Sequence, residues 1–141
     1  MNKIPFRIFK IENDPIVLHA DAFDPKGEME FEFQVSYNGS LNDHIIGCKT
    51  EYLFKQKDVI VSDLTVYCYF MIEEGFVQSK IQDGKLTLDK EFLRYLATIS
   101  VGTARGIQHA KTQGTVLNPF VIPPINLMEI DIQDFVLESL N

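Results

Sequence analysis

Two cysteines, three histidines and twenty acidic residues are the groups of this chain that could do covalent, metal or acid–base chemistry. Cys48 and Cys68 both fall in apolar, strand-like runs. Such surroundings raise a thiol pKa and leave little thiolate for attack or metal binding. They read as two buried free thiols, since two cysteines do not make a disulfide framework. His19, His44 and His109 stand in separate elements, and no H-x-x-x-H or C-x-x-C spacing occurs. Each reads as structural or surface. No G-x-S-x-G turn is present to raise a nucleophilic serine. Glu30, Glu32, Asp63 and Glu73 lie on predicted strands and turns, where a solvated polar face accounts for them better than paired acids for glycosidic chemistry. Gly102-x-x-x-Gly106 lacks the Gly-Lys-Ser/Thr ending of a phosphate loop. The expectation is a protein without catalytic, metal-binding or cofactor-binding residues, and not an enzyme.

The elements that carry these residues change character along the chain. Phe6–Ile11 reads as a first short strand, ended by Asp14-Pro15. Asp21–Glu28 is a polar loop. Glu30–Tyr37 then alternates strictly, with Phe31, Phe33, Val35 and Tyr37 on one face and Glu30, Glu32, Gln34 and Ser36 on the other. Asn38-Gly39 predicts a hairpin turn, because both residue types tolerate positive φ. A strand from about 45 to 55 places Ile46, Cys48, Thr50, Tyr52 and Phe54 on one face. After a turn at Gln56-Lys57-Asp58, a strand from about 61 to 72 does the same with Leu64, Val66, Cys68, Phe70 and Ile72, and puts Tyr67 and Tyr69 opposite. Three such runs with short connections predict an antiparallel meander.

Beyond a turn at Asp83-Gly84 the period becomes helical. Asp89 is a suitable N-cap, Phe92, Leu96, Ile99, Thr103, Ile107 and Ala110 recur at steps of three and four, and Gly114 is a stop. The helix spans about 90–112, roughly 34 Å at 1.5 Å per residue. Two glycines inside it cost about 1 kcal/mol each against alanine, so their absence of bulk is expected to serve close packing. An extended apolar segment with three prolines follows, Val116 to Asn126. Residues 128–140 fit a short amphipathic helix, with Met128, Ile132, Phe135 and Val136 on one side.

Composition limits what these elements can serve. The 141 residues suit one domain, 1–141, and 45% are hydrophobic, enough for an ordinary core. A formal charge of −7 with scattered basic residues argues against nucleic acid and against an anionic membrane surface. No apolar stretch approaches a membrane span and no leader-like h-region opens the chain, so a cytoplasmic location is expected. Sixteen residues are aromatic, 11 Phe and 5 Tyr with no Trp. The Phe31 face and the apolar segment running from Phe120 to Met128 compete for one small interior. They either share one core or leave an apolar groove exposed.

The long helix, Gly114-Thr115, the apolar loop closing as Ile122-Pro123-Pro124-Ile125-Asn126, and the order of one strand followed by a three-strand meander resemble the SecB family of export chaperones. Ala104-Arg105-Gly106 is closer to its divergent SecB-like members. The resemblance implies an α+β fold: a four-stranded antiparallel sheet with one long and one short C-terminal helix on one side. It also implies a tetramer built as a dimer of dimers. In that assembly Leu96, Gly102, Thr103, Gly106 and Ile107 of the long helix would form the subunit contact. The family binds non-native polypeptides without a nucleotide or other cofactor. Matched residue by residue, the client surface would comprise Phe31, Phe33, Val35 and Tyr37 with Phe120, Val121, Ile122 and Pro123. The translocase motor is a further partner by resemblance, although the family's Cys-, His- and base-containing tail has no counterpart before Asn141 and the Glu-x-Pro-Asn stretch is replaced by Leu18-His19-Ala20-Asp21. The alternatives are a chaperone dedicated to one client, such as an antitoxin, and a small-ligand-binding or enzymatic α+β domain.

Overall fold

The computed structural model describes residues 3–139. It is an α+β fold with a largely antiparallel main sheet and one long helix. Strands β1 (Phe6–Asn13), β3 (Glu30–Ser40), β4 (Ile45–Gln56) and β5 (Val59–Ile72) lie in the order β1-β5-β4-β3, and a two-residue β2 (Val17–Leu18) pairs with β5 beyond the end of β1. The meander follows the sequence pattern, and β1 pairs with its last strand, β5. The extra strand β2 forms because Pro15 interrupts the chain without turning it away from β5.

Alternation decides what the sheet buries. Ile46, Cys48, Thr50, Tyr52 and Phe54 of β4, with Leu64, Val66, Cys68, Phe70 and Ile72 of β5, are all buried on one face. Helix α2 (Lys90–Lys111) lies across β4 and β5 and supplies Phe92, Leu93, Leu96, Ala97, Val101 and Ala104 to the same cluster. Burying one side chain of this kind stabilises by about 1.5–3 kcal/mol. The opposite face carries Tyr67 and Tyr69, with the Lys49 and Lys10 ammonium groups each 5.9 Å from their ring centroids.

Turn chemistry explains the connections. Lys57 and Asp58 both take positive φ, 48° and 68°, in the two-residue link between β4 and β5. Asp83 (52°) and Gly84 (72°) do so before β6 (Lys85–Leu88). Asn38-Gly39 does not turn. It stays in β3, and the chain reverses at Leu41–His44, where His44 takes φ 58°. Gly39 is needed for closeness: a Cβ there would lie 2.6 Å from the Ile45 carbonyl oxygen and clash with Leu137.

Helix α2 begins as expected, with the Asp89 carboxylate accepting from the Phe92 N–H at 2.8 Å, and Gly114 follows its end with φ 80°. The short helix is elsewhere than expected. It is α1 (Glu74–Lys80), while the chain from 127 forms a single 3-10 turn, Leu127–Glu129, and then β7 (Phe135–Glu138), paired antiparallel with β6. Period two wins there: Leu137 is buried between exposed Val136 and Glu138, opposite Leu86. Asn126 captures the Met128 N–H, and Asp134 accepts from the Lys90 N–H, so the segment is tied down at both ends in a non-helical form. The last residue of the expected helix, at position 140, lies outside the described residues.

Candidate functional site

Strand β3 is one margin of the main sheet, paired with β4 alone. Phe31, Phe33, Val35 and Tyr37 project to the side covered by α2, yet all four remain half-exposed because, among the described residues, no strand pairs with β3 on the outside. Phe31 packs on Phe54 with ring centroids 5.1 Å apart, and Phe33 on Tyr52 at 5.3 Å. Tyr37 differs. Its hydroxyl donates to the Leu93 carbonyl at 2.8 Å, and burial holds its pKa far above the ordinary phenol value. It anchors β3 to α2.

The apolar loop is held against α2 by its backbone. Arg105 donates from Nε to the Ile122 carbonyl at 2.7 Å and from Nη2 to the Pro123 carbonyl at 3.0 Å. Gln108 donates to the Phe120 carbonyl at 2.7 Å. Three carbonyls of a segment unable to form a strand are thus satisfied by side chains of the helix. Arg105 and Gln108 are the residues that the apolar pattern did not reveal as loop anchors. Their one visible signal was a polar pair three apart on the flank of the helix next to a proline-rich segment.

This pinning divides the loop residues. Ile122 is 1% exposed and belongs to the core, so it is not available to a client in this subunit. Val121, next to it, is 47% exposed. Phe120 is half-buried and meets Phe23 edge-on at 5.2 Å, and Pro123 is half-buried. Phe31, Phe33, Val35 and Phe120 border one and the same hydrophobic cluster.

The expected contact residues of α2 also separate. Leu96 is fully buried against the sheet, which corrects its assignment to a subunit contact. Thr103 and Ile107 are half-buried beside it, whereas Gly102 and Gly106 are exposed, and a Cβ at either would meet nothing within 4 Å. The glycines therefore serve no close approach within the subunit. At 100° per residue, Phe92, Tyr95, Ile99, Gly102, Thr103, Gly106, Ile107 and Ala110 form one flank without a charge. Beyond it on β1, Ile8 and Ile11 are 40% and 48% exposed. Phe6, Phe92 and Tyr95 line a cleft of about 360 Å³ at the end of this flank, and Tyr95 meets Phe6 edge-on at 5.8 Å. The alternation of β1 gave no hint of this surface, because its register slips between Ile8 and Lys10.

The candidate chemical groups stay apart. Cys48 and Cys68 are cross-strand neighbours, buried and free, and burial raises both thiol pKa values, that of Cys48 to about 12. Among the described residues no group of three His, Cys, Asp or Glu side chains is arranged to hold a metal ion. No described helix is long and apolar enough to cross a membrane. The arrangement offers apolar contact area and an unpaired strand edge. No family model, curated protein or solved structure matches the chain.

Proposed function

We propose that this protein is a SecB-like chaperone that holds non-native polypeptides at Phe31, Phe33 and Val35 of β3 together with the exposed part of the loop around Val121. The observation that carries this reading is the half-exposed Phe31–Phe33–Val35 row on a sheet margin where, among the described residues, β3 pairs with no strand but β4. Phenylalanine supplies large apolar area with no polar atom to satisfy, so such a row accepts many sequences. The uncharged flank of α2, with Gly102 and Gly106 open to solvent, supports assembly through the long helices into a tetramer of paired dimers. Small residues let helix backbones approach, and an aligned stripe of them offers a surface for another helix. The acidic balance of the chain suits clients with basic segments and also a basic surface on a translocase motor.

The test is aggregation of a chemically denatured client, followed by light scattering without any nucleotide. The wild-type chain is expected to suppress scattering at near-stoichiometric ratios. Phe33→Ser is expected to weaken suppression while circular dichroism stays unchanged. Equal suppression by Phe33→Ser would refute the assignment of this surface. A dedicated client, such as an antitoxin, would appear as protection confined to one substrate.

A further inference from the structure

Cys48 of β4 and Cys68 of β5 stand directly opposite each other in the antiparallel register, and both side chains face α2. Opposed residues of such a pair have Cα atoms about 4.5 or 5.5 Å apart, and a disulfide spans about 4.4–6.8 Å, so either separation suits one. The thiols also converge: the Ser100 hydroxyl of α2 stands against both. Both are buried, so an external reagent does not reach them while α2 is seated. The layer between α2 and the sheet is less apolar here than elsewhere. Ser100 and Thr103 lie over the thiols, and their hydroxyls donate to the Leu96 and Ile99 carbonyls of α2 itself, at 2.9 and 3.0 Å. Neither hydroxyl proton ties the helix to the sheet. Close by on β4, Thr50 Oγ1 and the Tyr52 hydroxyl are buried without a hydrogen-bond partner among the described residues. Both gain water when α2 lifts, which lowers the cost of opening at this place.

We infer that Cys48 and Cys68 are a disulfide-forming pair shielded by α2, closed by a low-molecular-weight disulfide such as oxidised glutathione when the helix lifts. The ionised sulfur of one cysteine attacks a sulfur of the small disulfide. One S–S bond breaks as another forms, and the departing thiolate takes up a proton. The second cysteine, ionised in turn, attacks the protein sulfur of this mixed disulfide, forms the Cys48–Cys68 bond and expels the second small thiol. In all, the two protein thiols lose two electrons and two protons, and the small disulfide becomes two thiols. Because the partner sulfur is already opposite, the mixed disulfide is short-lived. The new bond closes a loop of 21 residues and joins the two central strands of the sheet. This modification site does not depend on the chaperone reading.

The test exposes the reduced, folded chain to oxidised glutathione at mildly alkaline pH, followed by intact mass and by peptide mapping without reductant. The expected product has lost two hydrogens, and trypsin yields residues 27–49 joined to residues 58–80. Urea below the unfolding transition is expected to speed closure about tenfold. Leu96→Ala, which loosens the seat of α2 on the sheet, is expected to do the same in water, and the urea arm stands without it if that variant does not fold. Closure is expected to raise the urea midpoint by about 1 M, and a reductant to reverse the shift. A stable adduct with one or two glutathione molecules, a disulfide between two chains, or no closure even in urea overturns the pairing. A closure rate that urea leaves unchanged overturns the shielding by α2. A lower midpoint in the closed form overturns the fit of the bond to the β4–β5 register.

Discussion

Adjacent loop residues Val121 and Ile122 separate stability from binding. Ile122 is 1% exposed within the core cluster, and Val121 is 47% exposed beside it. Ile122→Ala removes three buried carbon atoms. At about 0.8 kcal/mol each for transfer plus a cavity contribution, the expected loss is about 3 kcal/mol. With a urea dependence of about 2 kcal/mol per molar for a domain of this size, the midpoint is expected to fall by about 1.5 M. Val121→Ser removes contacts that are half solvated already and is expected to cost less than about 0.5 kcal/mol, within the range of surface substitutions. Urea unfolding followed by far-UV circular dichroism gives both numbers. Client suppression on the same samples, at a urea concentration where both variants are folded, gives the second axis. The account expects Val121→Ser to lose suppression at nearly full stability, and Ile122→Ala to lose stability at nearly full suppression. An equal stability loss from both would refute the assignment of Ile122 to the core. Full suppression by Val121→Ser would refute the exposed loop as part of the client surface.

Three further outcomes follow from particular contacts. Arg105→Ala removes two charge-assisted hydrogen bonds to loop carbonyls and is expected to cost about 2–4 kcal/mol, with faster proteolytic cleavage in 115–126; unchanged cleavage would contradict the pinning. Gly106→Ala meets open space in the subunit and is expected to stabilise isolated subunits by about 0.5–1 kcal/mol, while Gly106→Arg dissociates the assembly in sedimentation; an intact assembly with Gly106→Arg would refute the helix contact. Because burial raises the Cys48 thiol from 9.0 to about 12, the folded chain keeps a proton that the unfolded chain releases. Stability from this group is complete below about pH 9 and falls as pH rises toward 12, by up to about 1.4 kcal/mol per unit. Urea midpoints between pH 8 and pH 10.5 are expected to decline, and less so in Cys48→Ala; equal slopes would contradict the buried thiol.

The parts of the fold that were legible in the sequence are those where one face is buried along a whole element. The alternation of β3, β4 and β5 and the helical period of α2 each commit many residues to one side, and the observed bounds fall close to those expected. The errors arose where short segments are decided by remote contacts. Asn38-Gly39 has the chemistry of a turn, but Gly39 is used for a close approach to Ile45 and Leu137. The segment after Met128 has apolar residues at helical spacing, yet β6, 51 residues earlier by the Leu86–Leu137 pairing, imposes period two. Of the site, the Phe31 row was visible as a pattern. The opposite fates of Val121 and Ile122 were not, because they depend on which loop carbonyls Arg105 and Gln108 reach.

Hydrogen exchange in the presence of a permanently unfolded client tests the central claim most directly. The account predicts that bound client slows exchange of the outward-facing amides among residues 30–37 and of amides in 116–122, while β1 is unaffected. Unchanged exchange in both segments, with client demonstrably bound, would contradict it.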